Sequence, residues 1–95
     1  MSNNTVDYTV EKFLITDEPV MKLAMDVLLI LNKFDKVTIV GKGGSCPSAV
    51  SVANIITQNI SSGSAKTEKI SVDSEKLDDG QLKSIIEIMI TEISS

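Results

Sequence analysis

The spacing of apolar residues divides the chain into six blocks with two different periods. Residues 8–15 (YTVEKFLI) are rich in β-branched and aromatic side chains and predict a first strand. Thr16, Asp17, Glu18 and Pro19 follow, a helix-start signature of capping side chains, acid in the first turn and an early proline. The helix is predicted over 19–34, where Val20, Leu23, Ala24, Val27, Leu28 and Leu31 recur at i, i+3, i+4 spacing. Met21, Met25, Leu29 and Ile30 carry the apolar surface around most of the cylinder, and between Val20 and Leu31 only Lys22 and Asp26 are polar. A helix of that kind is covered on more than one side, which in a small domain points to a neighbouring subunit.

The second half continues the alternation of periods. Residues 36–40 predict a short strand, 41–44 a turn, and a second helix follows, capped by Ser45 or Cys46, with Pro47 in its first turn and Ile60 near its end. Its core stripe is Ala49, Val52, Ala53, Ile56 and Ile60. A linker over 61–65 leads into TEKISVDSE (67–75), whose alternation puts Ile70 and Val72 on one side of a half-exposed strand. Residues 76–81 (KLDDGQ) make a hairpin tip, and 82–93 a last strand that is apolar on both faces, hence central or at an interface. The predicted order is βαβαββ, an α/β domain spanning 8–95 behind a polar, loose arm over 1–7.

Ninety-five residues make one domain with one modest core. Aromatics are 3% of the chain, so that core is built from Ile, Val, Leu and Met. No basic, apolar leader is visible at the start, and the longest unbroken apolar run, 27–31, is too short for a bilayer, so the cytoplasm is the expected location. A single cysteine excludes an internal disulfide. The absence of histidine excludes Ser-His and Cys-His dyads and His-containing metal sites. The absence of arginine excludes bidentate guanidinium clamps on phosphate or guanine. Nine lysines stand against thirteen carboxylates, for a net charge of −4 and no uniformly basic coat.

The segment VTIVGKGGSCPSAV (37–50) runs from strand through three glycines and one lysine into a helix, a natural seat for an anion. It is not a P-loop, since Lys36 and Gly43 stand where that motif needs glycine and a hydroxyl. Nor is it a dinucleotide fingerprint, because Cys46 replaces the third glycine and the unit is too short. What remains is an anion nest with Lys42 as its charge, or glycines that only turn the chain into the helix. Cys46 reads as a small packed residue with no base partner, and Asp73, Glu75, Asp78 and Asp79 as a solvated hairpin; neither catalysis, a cofactor nor a small-molecule substrate is expected.

Four stretches in order resemble the Alba family, small archaeal chromatin and RNA-binding proteins with eukaryotic relatives. They are ITDEPVM (15–21), VTIVGKGGSCPSAV, VDSE (72–75) and SIIEIMI (84–90), within a match that covers roughly 8–91. The resemblance implies a mixed four-stranded sheet packed against two helices, an isologous dimer, and nucleic-acid binding. Structural positions match the family: Pro19, Val20, Met21, Gly43, Ala49, Val50, Asp73, Glu75, Glu87 and Ile88. Basic positions mostly do not. Asp17 and Glu18 replace two lysines, one of them an acetylation site in some members, Val40 stands for lysine, and Gly44 and Ser48 stand for arginines. The family's minor-groove hairpin is here short and tipped by Asp78 and Asp79.

The nucleic-acid site implied is therefore Lys42, Gly43, Gly44, Ser45, Lys76 and Lys83. Its three lysines face Asp17, Glu18, Asp78 and Asp79, one net negative charge per subunit, and two helix N-termini contributing roughly +0.5 each bring it to about neutral. Two or three phosphate contacts per subunit give weak, salt-sensitive binding of DNA or RNA, on the chromosome where it is retained. The other reading is a charge-depleted paralogue that kept the fold and acts as an interaction or heterodimer partner of a basic Alba protein.

Overall fold

A computed structural model describes residues 11–60 and 63–93. The arm over 1–7 and the first three residues of the predicted strand at 8–15 lie outside them. The chain runs β1 (Glu11–Leu14), α1 (Val20–Phe34), β2 (Lys36–Lys42), a 3-10 turn (Gly43–Ser45), α2 (Cys46–Asn54), a π-helical segment (Ile55–Ile60), β3 (Ala65–Lys76) and β4 (Leu82–Glu92). The strands form one sheet in the order β1-β2-β4-β3. β1 pairs parallel with β2, and β4 pairs antiparallel with both β2 and β3.

Both helices pack on one face of this sheet. Leu23, Ala24, Val27 and Leu31 of α1 and Ala49, Val52 and Ala53 of α2 are buried, and they meet Val37, Ile39, Ile88 and Ile90 in a single core cluster. Alternation along each strand fixes which side every residue occupies. Val37 faces Ile90 across the ladder, Ile39 faces Ile88 and Gly41 faces Ile86, all on the helix side. β4 is a central strand, as its apolar faces require.

Four local expectations are corrected. Pro19 itself is the residue preceding α1, with no side-chain cap and no acid in the first turn. Asp17 and Glu18 fall ahead of the helix, where the Thr16 hydroxyl accepts from the Glu18 N–H at 3.3 Å. β2 continues through Gly41 to Lys42, so the turn is shorter than 41–44. The strand survives there because a Cβ on Gly41 would stand 2.8 Å from the Ala49 Cβ; the missing side chain lets α2 lie against the ladder. Neither Ser45 nor Cys46 caps α2 by a side-chain hydrogen bond, since the 3-10 turn supplies the link through the Cys46 N–H to the Gly43 carbonyl.

The second helix keeps its α-helical ladder only to Asn54. Beyond it the Thr57 hydroxyl donates to the Ala53 carbonyl at 2.9 Å, the acceptor an α-helix assigns to the backbone N–H of that same residue. The turn widens into the π-helical segment, which still buries Ile56. The fourth correction concerns β3. It starts at Ala65, inside the expected linker, and only Ala65 of its twelve residues is buried. Ile70 and Val72 lie on the helix side, opposite Ile88 and Ile86, yet remain 58% and 75% exposed because β3 is the edge strand beyond the helices.

Candidate nucleic-acid interface

Parallel β1 and β2 both finish at one end of the sheet, and antiparallel β4 begins there. Leu14 pairs with Val40, Lys42 pairs with Ile85, and the Ile15 N–H donates to the Val40 carbonyl at 2.9 Å. The β1–α1 loop, the glycine turn and the hairpin base are therefore neighbours. Three ladder pairs project past Lys42: Ser74 with Ser84, Glu75 with Lys83, and Lys76 with Leu82. The arm closes through Leu77 and Gln81, with Gly80 at φ 87 and the Asp79 carboxylate accepting from the Gln81 N–H at 3.0 Å.

The glycine turn is specific in shape. Gly43 sits at φ 56, in the left-handed region, and a Cβ there would lie 3.1 Å from Lys83 Cε. The Lys83 stem thus runs over Gly43, next to the exposed Lys42 that ends β2. Gly44 is exposed, with open space where a Cβ would be, and Ser45 is half-buried. The Cys46 thiol donates weakly to the carbonyls of Gly41 at 3.5 Å and Ser84 at 3.7 Å, tying the turn to two strands.

Lys76 is the expected residue that the fold does not bring to this corner. Its ladder partner is Leu82, so it lies on the helix side of the arm, while Lys83 opposes Glu75 on the other side. The acidic half of the corner is partly engaged. Lys22 pairs with Glu18 at 3.2 Å and Asp26 at 2.9 Å, and hydrogen bonds to Asp26 and then Glu18 raise its pKa above the ordinary lysine value. Lys22 is thereby committed within α1. By contrast, Lys42, Lys76 and Lys83 are in none of the ion pairs among the described residues. Four lysines outside the expected set, Lys12, Lys36, Lys66 and Lys69, fall on the uncovered face of the sheet; period-two spacing was the signal for the first two.

Among the described residues no group of three or more metal-ligating side chains comes together, and no helix is long and apolar enough to cross a membrane. The Alba family model matches residues 11–74, from β1 into β3 and so across both helices and the glycine turn. The chain belongs to the Alba family. Alba from Thermoplasma volcanium shares 27% identity with it at a TM-score of 0.75, covering 85% of this chain and 99% of that one. ALBA1 from Trypanosoma brucei superposes at a TM-score of 0.73 over 88% of this chain and 70% of its own, at 16% identity, a likeness of fold alone. No curated protein sequence matches the chain. Alba proteins bind nucleic acids, oligomerise and are not an enzyme family. The family model ends at Ser74, short of the hairpin tip and β4 and so of Lys76 and Lys83.

Proposed function

We propose that this Alba protein binds DNA or RNA through phosphate groups at the strand-end corner, weakly and with strong salt dependence. The observation that carries this reading is the Lys83 stem lying over Gly43, which directly follows Lys42 and leads into the start of α2. In the bound state the backbone N–H groups of Gly43, Gly44 and Ser45 point at a phosphate, and the two ammonium groups flank it. Lys76 contributes from the other side of the arm, so one arm presents charge to both of its flanks. Asp17, Glu18, Asp78 and Asp79 oppose these groups, which keeps the number of phosphates neutralised to two or three per subunit. Binding of this kind, where retained, associates the protein with the chromosome.

A second reading has its own observation. The helix side of the arm exposes Ile70, Val72 and Leu82, the last at 70%, and α1 exposes Met21, Met25 and Leu29. Such apolar surface supports a homodimer, and equally a heterodimer in which a basic Alba partner supplies the charge missing here.

The substitution Lys42→Glu tests the first reading. Fluorescence anisotropy with a labelled duplex at about 20 mM salt should show affinity reduced several-fold to tenfold and the salt slope reduced by about 1. Unchanged affinity and slope remove Lys42 from the site. If the isolated chain binds no nucleic acid but forms a mixed dimer with a basic Alba protein by native mass spectrometry, the second reading replaces the first.

A further inference from the structure

Both helices lie on one face of the sheet, so among the described residues the other face is uncovered by helix, and the strand register decides what stands on it. Lys12, Lys36, Lys42, Lys66, Lys69 and Lys83 all fall there. Lys12 occupies the level of Thr38, Lys36 and Lys66 flank Thr91, Lys69 opposes Met89, and Lys42 opposes Ile85. Lys66 and Lys69 share this side only because the ladder shifts register between Thr67 and Lys69. The carboxylates on the same face are Glu68, Asp73, Glu75 and Glu87. Six lysines and four carboxylates give this face a net charge of +2 in a chain of net −4, so the positive charge of the protein is segregated onto one surface.

Two of the four carboxylates are already engaged. Glu87 pairs with Lys12 at 3.6 Å. Glu68 accepts a hydrogen bond from Thr91, and that bond, with Lys36 and Lys66 nearby, holds its carboxyl below the ordinary glutamate value. Aliphatic side chains stand among these charges: Leu14 on the edge strand β1 is 56% exposed, and Ile85 and Met89 on β4, to either side of Glu87, are half-buried. Aliphatic side chains interspersed with lysines fit a chain that carries both apolar rings and regularly spaced negative charge. A single nucleic-acid strand is such a chain, because its unstacked bases are free to lie on a sheet while its phosphates reach the rim. From β1 to β3 the sheet is three strand spacings wide, about 14 Å, a flat bed rather than a groove-filling ridge.

We infer that the uncovered sheet face is a single-strand binding surface, with phosphates on Lys12, Lys36, Lys66 and Lys69 and bases over Leu14, Ile85 and Met89. It rests on the proposed nucleic-acid reading and extends it. Lys42 and Lys83 belong to both surfaces, so a strand leaving the glycine corner continues onto the sheet along the β2–β4 side, with Asp73 and Glu75 on the β3 side of the join. Duplex DNA uses the corner, and a single strand uses both.

The test compares wild type with the variant Lys12→Gln/Lys36→Gln/Lys66→Gln/Lys69→Gln, using a labelled oligo-uridylate of roughly 16 nucleotides and a duplex of equal length. At low salt the ratio of single-strand to duplex affinity should fall at least fivefold, and the single-strand salt slope should drop by about 2 to 3, at 0.7 per phosphate. An unchanged ratio with duplex binding intact overturns the sheet surface and leaves the corner standing. Wild type that binds neither oligomer overturns both. Wild type that captures polyglutamate in preference to both oligomers, and loses it in the variant, makes the face a dock for acidic protein and overturns the inference. Amide shift mapping on the wild-type chain with oligo-uridylate is the arm independent of the variant's folding. Shifts at residues 12, 36, 66 and 69 support the surface, and shifts confined to 42–46 and 83 contradict it.

Discussion

Replacing Gly41 by valine should cost at least about 3 kcal/mol of folding stability, a large share of the 5–15 kcal/mol typical of a domain. The position is in β2 and by propensity alone welcomes a β-branched residue. Packing decides the opposite way. The first carbon added meets the Ala49 Cβ at 2.8 Å, the Ser45 carbonyl oxygen at 2.9 Å and the Cys46 Cα at 3.1 Å. None of these is the end of a flexible side chain, so the start of α2 must move off the sheet. Movement there also breaks the geometry that aligns the 3-10 turn with Lys83. Gly44→Ala is the matched control, because nothing lies within 4 Å of the added carbon and the backbone there is not left-handed. Urea unfolding followed by circular dichroism should show a large fall in midpoint for the first variant and little change for the second. A loss below about 1 kcal/mol for Gly41→Val would mean that α2 does not sit against β2 as described.

Reversing charge in the β1–α1 loop should act just as strongly in the other direction. The double substitution Asp17→Lys/Glu18→Lys removes two carboxylates at the strand-end corner and supplies two ammonium groups where the resemblance implies lysines. Up to two further phosphates are then neutralised per subunit, which steepens the duplex salt slope by about 1.8 and raises affinity roughly ten- to a hundredfold at low salt. Glu18 is held by Lys22 and Thr16 in the native loop, but these contacts are exposed and of small energetic value. Stability should change little while binding changes greatly. If duplex affinity does not rise, the β1–α1 loop does not face the bound nucleic acid and the strand-end corner is wrongly drawn.

Much of this architecture was legible because the pattern and the packing agree. The stripe Leu23, Ala24, Val27, Leu31 is the buried face of α1, and the doubly apolar last strand is central in the sheet. The resemblance carried by four short stretches names the family that the model over 11–74 matches. Other features depend on distances that spacing does not encode. Gly41 reads as part of a turn because glycine punctuates turns, whereas its role is to let a helix approach a strand. Pro19 reads as a first-turn residue, yet it is the cap itself, which leaves Asp17 and Glu18 in the loop. Ile70 and Val72 alternate as core residues do and are exposed, since alternation reports a face and not whether anything covers it.

The candidate site divides along the same line. Lys42 and the glycines were visible as a charged turn between a strand and a helix. That Lys83 lies over Gly43 depends on a pairing forty residues apart in the chain, and that Lys76 turns away depends on its register with Leu82. That Lys66 and Lys69 share the uncovered face was hidden by the irregularity in β3. Simple alternation separates Lys66 from Lys69, and the register shift unites them. A count of charges at one end of the domain therefore described only the corner.

The central claim is that the strand-end corner is shaped for phosphate but nearly neutral, so it makes few ionic contacts with duplex DNA. The salt dependence of wild-type duplex binding measures this directly. Between about 20 and 150 mM salt the log–log slope should be about −1.8 to −2.7 per bound subunit, a loss of roughly 40- to 230-fold in affinity. A slope steeper than about −6 per subunit would require a broad cationic footprint on the duplex and would contradict the account.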